Sequence, residues 1–491
     1  MKPLTNQVMQ SIRKKETNRP LVLVAIIIGM FMAAIEGTIV STALPGIVGD
    51  LGGFSKFSWV FSAYLLTSAI TVLLFGKLSD LFGRKPIYTV GIIIFLVGSV
   101  LCGFAESMSA LVVFRLIQGV GAGAVQPIAL TIVGDMYSME ERAKIQGYLA
   151  SVWGISAIAG PALGGLFVQY LDWAWVFWMN VPLGILSLVG VLLLLHESIT
   201  TEKKSIDYAG ASLLLVSVSV LMIVLIEGGV HWEWTSLPIL LLISLSIIGI
   251  LAFFQVEKRV KEPLMPLAIW SNPLIAISNS VTFTTGIILI GVSSFLPTFV
   301  QGVMERSPIV AGFTLTTMSI GWPIASTIAG NLVVKIGFRT TSVLGGLSLM
   351  AGSTVYIMMT PELGPIFAGI GSFLIGVGMG LTSTTFIVAI QSSVSWQQRG
   401  IATASNMFMR SLGSAVGAAL LGGILNSRLQ QYLSEKTEAS NLTINAANQL
   451  LDEKKRESLD PVKLDLLQNG LIISLKWVYG GVLILAILSF I

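Results

Sequence analysis

Charge is what this sequence most lacks. Only 11% of its 491 residues are Asp, Glu, Lys or Arg, against about 25% in soluble domains, while 54% are hydrophobic. Such a chain cannot hide its apolar surface inside a water-soluble fold, so it reads as an all-α polytopic membrane protein. A single cysteine, Cys102, excludes an internal disulfide and a thiolate metal cluster. The two histidines, His196 and His231, stand in different loops without metal-ligand spacing, and no Walker loop is present. No enzyme signature, metal or cofactor is expected, and ATP is not the energy source. The N-terminus lacks a cleavage pattern: Lys2, Arg13, Lys14, Lys15 and Arg19 precede a hydrophobic run of full spanning length, so the first span is retained. The pI near 9.0 does not imply nucleic acid, because the basic residues are dispersed at span ends.

Long apolar runs are what the chain has in abundance. Roughly 20 such residues cross a bilayer, and runs bounded by charge, Gly or Pro predict fourteen spans: 22–44, 57–76, 86–105, 109–134, 146–169, 174–195, 208–226, 237–254, 275–300, 310–334, 342–359, 363–389, 404–426 and 471–491. Placing the N-terminus and the even-numbered loops inside collects Lys77, Arg84, Lys85, Arg142, Lys144, Lys203, Lys204, Lys258, Arg259, Lys261, Lys335, Arg339 and Arg399 on that side. The short outer loops hold only Lys56 and Arg306. Both termini are therefore expected in the cytoplasm. The polar stretch 427–469, with mixed charges such as Glu453, Lys454, Lys455 and Arg456, reads as an outer loop with a solvated charged face.

An internal repeat sets the architecture. At an offset of 257 residues, Gly119, Gly121 and Gly123 fall on Gly376, Gly378 and Gly380; Arg142 falls on Arg399, Gly160 on Gly417 and Gly165 on Gly422. A slightly shorter offset places Gly76 on Gly330 and Gly83 on Gly337. The chain thus divides into an N-terminal segment 1–21, a six-helix half 22–200, a two-helix insertion 201–262 and a second six-helix half 263–491.

Few residues inside the spans can carry chemistry. Glu36 lies well inside the first span, where an ionisable group costs at least a few kcal/mol and is functional by default. Burial penalises its charged form, so it is suited to loading and releasing a proton; the alternative is a paired Glu that only holds helices together. Arg115, in the fourth span at similar depth, is its expected counterpart, or else an anchor that snorkels to the outer interface. Gln126, Trp153, Phe283, Met318 and Trp322 are candidates for an apolar cavity. Arg410 joins them unless it snorkels to the inner face. Asp135 is expected to pair with Arg142 or Lys144, and Glu227 to be solvated. Trp173, Trp175, Trp178, Trp232 and Trp234 read as interfacial anchors.

The loop Gly76–Lys85, GKLSDLFGRK, packs four charges between two spans and resembles the signature between the second and third helices of the major facilitator superfamily. Its repeat, GNLVVKIGFR from Gly330 to Arg339, keeps both glycines but lacks the counterpart of Asp80. Gly76, Asp80, Gly83, Arg84 and Lys85 are read as an inner gate motif of the N-terminal half. Arg115, Gln118, Gly119, Gly121 and Gly123 look like the fourth-helix motif of that superfamily, whose Arg is associated with proton transfer. GISAIAGPALGG, spanning Gly154, Gly160, Pro161, Gly164 and Gly165, resembles its fifth-helix antiporter motif; Pro161 is expected to bend the helix and the glycines to allow close packing. Glu36, Thr38, Ile39, Val40, Ala43, Leu44 and Pro45 resemble the first-helix signature of the fourteen-span drug:proton antiporters, with Glu where that pattern usually has Asp.

The resemblance implies a major facilitator fold of two six-helix halves plus two extra central helices, and a proton-coupled exporter of drugs or other amphipathic or cationic compounds that works by alternating access. The expected setting is a bacterial cytoplasmic membrane, with drug-like small molecules, protons and the lipid bilayer as partners and the chain as a monomer. A dedicated exporter of one metabolite, siderophore or antibiotic would share every motif quoted. Uptake is disfavoured by Gly160 and Pro161, and a non-transporting membrane scaffold is the alternative of a different class.

Overall fold

The structure is a computed structural model that describes residues 17–137, 139–197, 207–260, 263, 267–394, 399–436 and 443–490. The side chains of Lys77, Asp80, Arg142, Lys144 and Arg399 lie outside the described residues. Among these residues, thirteen helices are long and apolar enough to cross a membrane. They are α1 (Arg19–Leu51), α2 (Phe57–Phe82), α3 (Arg84–Gly103), α4 (Met108–Met136), α5 (Met139–Tyr170) and α6 (Trp175–Leu194). Next come α7 (Tyr208–Glu227) and α8 (Leu237–Arg259). The second half consists of α9 (Pro273–Gly302), α10 (Pro308–Ile357), α11 (Gly364–Ser393), α12 (Arg399–Lys436) and α13 (Pro461–Phe490).

The fourteen expected spans and the thirteen helices agree once α10 is measured. Its 50 residues would reach ~75 Å at 1.5 Å per residue, far beyond a hydrocarbon core of roughly 30 Å. Gly337, at φ 82° and ψ 170°, turns the chain within it. Gly83 turns the chain between α2 and α3 with nearly the same angles, φ 92° and ψ 155°. Both positions need a conformation that is essentially glycine's alone, which is why this pair survives in the repeat.

The glycine ladders set the register of each half. A Cβ on Gly119, Gly121 or Gly123 of α4 would strike Tyr64, Phe95 and Thr71, so α4 lies close against both α2 and α3. On α11, Gly376, Gly378 and Gly380 meet Met318, Leu349 and Trp322, on the two segments of α10. Hydroxyls reinforce the first contact, since Thr67 donates to the Leu116 carbonyl at 3.0 Å and Thr71 to that of Val120 at 3.2 Å. Small residues serve here because apolar burial gives no drive between helices in lipid, and packing and polar contacts must supply it.

The two halves meet tightly at the end carrying Leu51. There Gly165 of α5 abuts Pro308 and Ile309, and Gly312 of α10 abuts the Pro161 carbonyl. On the other seam Gly422 of α12 abuts Ser58, and Phe57 stacks on Phe295 of α9 with ring centroids 5.7 Å apart. Gln301 of α9 donates to the Thr42 carbonyl of α1 at 3.1 Å. At the opposite end a Cβ on Gly76, Gly154, Gly330 or Gly337 would meet nothing. Among the described residues the contacts between the halves gather at the end carrying Leu51, the closed end, and leave the end carrying Gly83 open.

Residues 443–457 cap the closed end with short helical turns, in a stretch whose composition permits one or two amphipathic outer helices. Ile444, Ala447 and Leu450 are buried against the bundle, because they are the apolar members of an otherwise polar segment. Asn448 accepts the Phe54 N–H at 3.0 Å and Asn445 that of Ser55 at 3.3 Å. Lys455 donates to the Gly49 carbonyl, while Arg456 donates to the carbonyls of Gln301, at 3.2 Å, and Leu450. The cap therefore holds both halves. Glu453 and Lys454 remain exposed.

The extra hairpin closes one seam. Leu214, Val218, Met222 and Ile226 of α7 share an apolar cluster with Leu66, Ala69 and Ile70 of α2 and with Phe408, Ala415 and Ala419 of α12. The seam between α5 and α10 lacks such a cover among the described residues.

Candidate functional site

The site grows from one polar side chain on each of several apolar helices. Glu36 on α1 and Arg115 on α4 form an ion pair in which the carboxylate is fully buried and the guanidinium only 1% exposed. Asn180, at the start of α6, donates to the other carboxylate oxygen at 2.6 Å. Arg115 also donates to Gln118 at 2.6 Å and to the Val60 carbonyl at 3.1 Å. Gln118 passes the chain on to Ser99 of α3 at 2.9 Å. Tyr64 of α2 lies beneath the guanidinium, 4.1 Å from its ring centroid. Desolvating two charges is expensive unless geometry and further hydrogen bonds compensate, and here five helices supply those bonds. Arg115 thus faces inward and does not snorkel.

Glu36, Arg115, Gln118 and Asn180 are all buried. Gly37, one step along α1, is exposed, and a Cβ there would meet nothing. Asn180 was invisible to sequence reasoning, since a lone Asn at the start of a span reads as a cap. Its position one helix away from Glu36 follows only from the fold.

The fifth-helix motif lines the back of α1. Thr38 donates to the Ser156 carbonyl at 3.1 Å and Thr42 to that of Pro161 at 3.2 Å. Cβ atoms on Gly160 and Gly164 would strike Thr38 and Thr42. Pro161 is buried within a continuous helix that runs on to Tyr170. Gly154 stands apart, in the open half.

The loop motif ties helix ends together within the first half. Arg84 pairs with Asp135 at 3.1 Å and donates to the Ser79 carbonyl at 2.9 Å. Asp135 was expected to pair with Arg142 or Lys144, but the turn at Gly83 brings Arg84 to the end of α4. Glu197 accepts the backbone N–H groups of Arg84 and Lys85 at 2.8 and 2.9 Å, while Lys85 donates to the carbonyls of Leu192 and Leu195. Each side chain caps the other's helix end, as the helix dipole favours. Asp80, part of the expected inner gate motif, has its side chain outside the described residues, as does Lys77.

The cavity candidates divide. Trp153 is 46% exposed, Gln126, Phe283, Trp322 and Arg410 are half-buried, and Met318 is 7% exposed with its backbone under Gly376. The Arg410 guanidinium lies 6.0 Å from the centroid of the Trp322 ring. Glu227, expected to be solvated, accepts from Trp59 at 3.2 Å and pairs with His231 at 2.5 Å. Trp173, expected as an interfacial anchor, is buried and donates to Asp50 at 2.9 Å.

Comparison with known proteins gives this geometry its setting. The Multidrug transporter protein MdtP of Bacillus subtilis (strain 168) is 38% identical over 422 residues, covering 86% of this chain and 78% of the relative. Multidrug resistance protein 3 of the same organism is 35% identical over 427 residues, covering 87% and 83%. The crystal structure of a bacterial homolog to the human lysosomal transporter Spinster, inward-facing and unoccupied, has a TM-score of 0.68 at 16% identity, covering 96% of each chain. That likeness concerns the fold. Residues 26–418 match the Major Facilitator Superfamily, so the chain belongs to that family and is a multi-pass membrane transporter, not an enzyme.

Proposed function

We propose that the protein is a proton-coupled exporter of drug-like amphipathic compounds that works by alternating access in a bacterial cytoplasmic membrane. The observation that carries this reading is the fully buried Glu36, held by Arg115 and Asn180 one residue from the exposed Gly37. Its two relatives named as multidrug transport or resistance proteins support export of varied compounds. Lys77, Arg84, Lys85, Lys258, Arg259, Lys335 and Arg339 lie towards the open end, which supports placing that end in the cytoplasm.

In the proposed cycle a proton from outside reaches Glu36 and cancels its charge. The attraction that binds α1 to α4 then weakens, and Arg115 keeps its bonds to Gln118 and Val60. Asn180 suits both states, because a carboxamide donates to a carboxylate with its NH₂ and accepts from a carboxylic acid with its oxygen. Protonation favours opening at the Gly83 end, and substrate entering there displaces the proton. The closed end would open in the outward state by releasing the cap and the Gly165–Pro308 and Gly422–Ser58 contacts.

The test uses purified protein in liposomes. Dye movement driven by an imposed proton gradient is compared with counterflow at equal pH. Glu36→Gln is expected to abolish the first while leaving the second. Undiminished gradient-driven transport in that variant would rule out Glu36 as the coupling group.

A further inference from the structure

We propose that Arg410 is an anion-recognising group of the central cavity, so that amphipaths with an acidic head and an aromatic body are among the substrates. The inference rests on the export reading above and names a substrate class for it. Arg410 lies ~16 Å along α12 from Arg399, at 1.5 Å per residue, well away from the helix end. A Cβ on Gly286 of α9 would strike its backbone carbonyl, and its guanidinium approaches Trp322 of α10. Helices α10 and α12 flank the second half at its two seams, so a side chain reaching from one towards the other runs along the wall that faces the first half.

No carboxylate among the described residues pairs with Arg410. Arg115, the other arginine deep in a span, has Glu36, a carbonyl and an amide as partners. The Glu36–Arg115 pair sums to zero, so Arg410 leaves the cavity wall cationic. A charge at this depth is costly while unpaired, and an acidic ligand that pairs with it relieves that cost. Guanidinium also presents a planar fork that fits carboxylate or sulfonate oxygens.

The repeat adds a second observation. Residue 153 falls on residue 410 at the same 257-residue offset, so Trp153 and Arg410 occupy equivalent places on the two walls. One half presents an exposed indole and the other a guanidinium beside Trp322. A ligand bridging the halves meets aromatic surface on one side and positive charge on the other.

A matched pair of probes tests this: 8-anilinonaphthalene-1-sulfonate and N-phenyl-1-naphthylamine share their rings and differ by the sulfonate. The full chain in liposomes is given each probe under a proton gradient, and thermal-shift titration of the purified protein records binding in parallel. Arg410→Gln is expected to lower the sulfonate-to-neutral ratio of kcat/KM, and of affinity, by roughly tenfold or more. Arg410→Lys should recover part of the ratio. An unchanged ratio in Arg410→Gln, with the neutral probe still transported by the parent protein, overturns the role of Arg410 and leaves the export reading standing. If neither probe moves in the parent protein, the export reading falls, and the thermal-shift ratio still decides whether Arg410 selects the anion.

Discussion

The two halves share a backbone plan and differ in what they hold inside it. Helices α4 and α11 press equivalent glycines against equivalent neighbours, down to Tyr64 and Met318, or Phe95 and Leu349. Where α4 carries Arg115, however, α11 carries Ser372, and where α4 has Gln118, α11 has Ile375. Ser372 bonds the Tyr356 hydroxyl at 2.7 Å, and Tyr356 stacks on Tyr479 at 5.1 Å. One half encloses a charged network and the other a neutral pair of rings and hydroxyls. Small residues fix how helices approach, while a few polar side chains decide whether a half titrates. Duplication can therefore preserve the frame and, in the proposed cycle, leave coupling to one side.

The largest expected effect separates the halves by transport. Glu36→Gln should reduce proton-driven movement to the level of protein-free liposomes, whereas Ser372→Ala should leave it measurable. Loss of transport in both would break the comparison. Stability gives the next contrast: Arg115→Met strands a buried carboxylate and should cost about 3–5 kcal/mol, against about 1 kcal/mol for Ser372→Ala. Thermal unfolding in detergent reads both, and Glu36→Gln added to Arg115→Met should restore much of the loss. The shared frame predicts a cost on both sides: Gly121→Leu and Gly378→Leu should each cost about 1–3 kcal/mol by overpacking, the first more, because its Cβ would strike the α3 backbone while the second first meets the Leu349 side chain. An unaffected variant on either side would show that its ladder does not set the register.

Smaller effects concern the cap, which joins the halves. Arg456→Ala removes bonds to Gln301 and Leu450 and should lower stability by about 1 kcal/mol, with faster thiol labelling of a cysteine placed at Gln301. Acid acts through Asp452. Burial works against its charge, but hydrogen bonds from the Lys455 side chain and from the Lys455 and Lys454 N–H groups outweigh this and hold its carboxyl below the usual range. Its contribution is complete above the free-Asp value of about 3.9 and is lost as pH falls through the lowered folded value. Labelling at the cap should rise only below that window, and Asp452→Asn should remove the dependence.

Much of the frame was legible because membrane helices announce themselves by length and the repeat by its glycines. Glu36 and Arg115 stood out because charge is so scarce inside the spans. Asn180 and Glu197 did not, because neither residue type is unusual at a span end and their partners lie a whole helix away. The cap was legible only as a stretch that permits amphipathic outer helices: Ile444, Ala447 and Leu450 are sparse apolar residues among charges, and only the surface below them shows that they are covered. Asp135 found Arg84 because the Gly83 turn folds back towards α4, a geometry that linear spacing conceals.

The hairpin α7–α8 has a mechanical consequence for the proposed cycle. Helix α7 touches both halves, so when they rock it must move with one and slip along the other. Against α2 it interlocks through Leu66 and Ile70, and Trp59 is bonded to Glu227 at its end. Against α12 it meets Phe408, Ala415 and Ala419, and a Cβ on Gly423 would strike the Leu225 carbonyl. Both sides grip, so in the proposed cycle one of the two contacts has to yield whenever the halves rock, which makes the hairpin a brake on that motion.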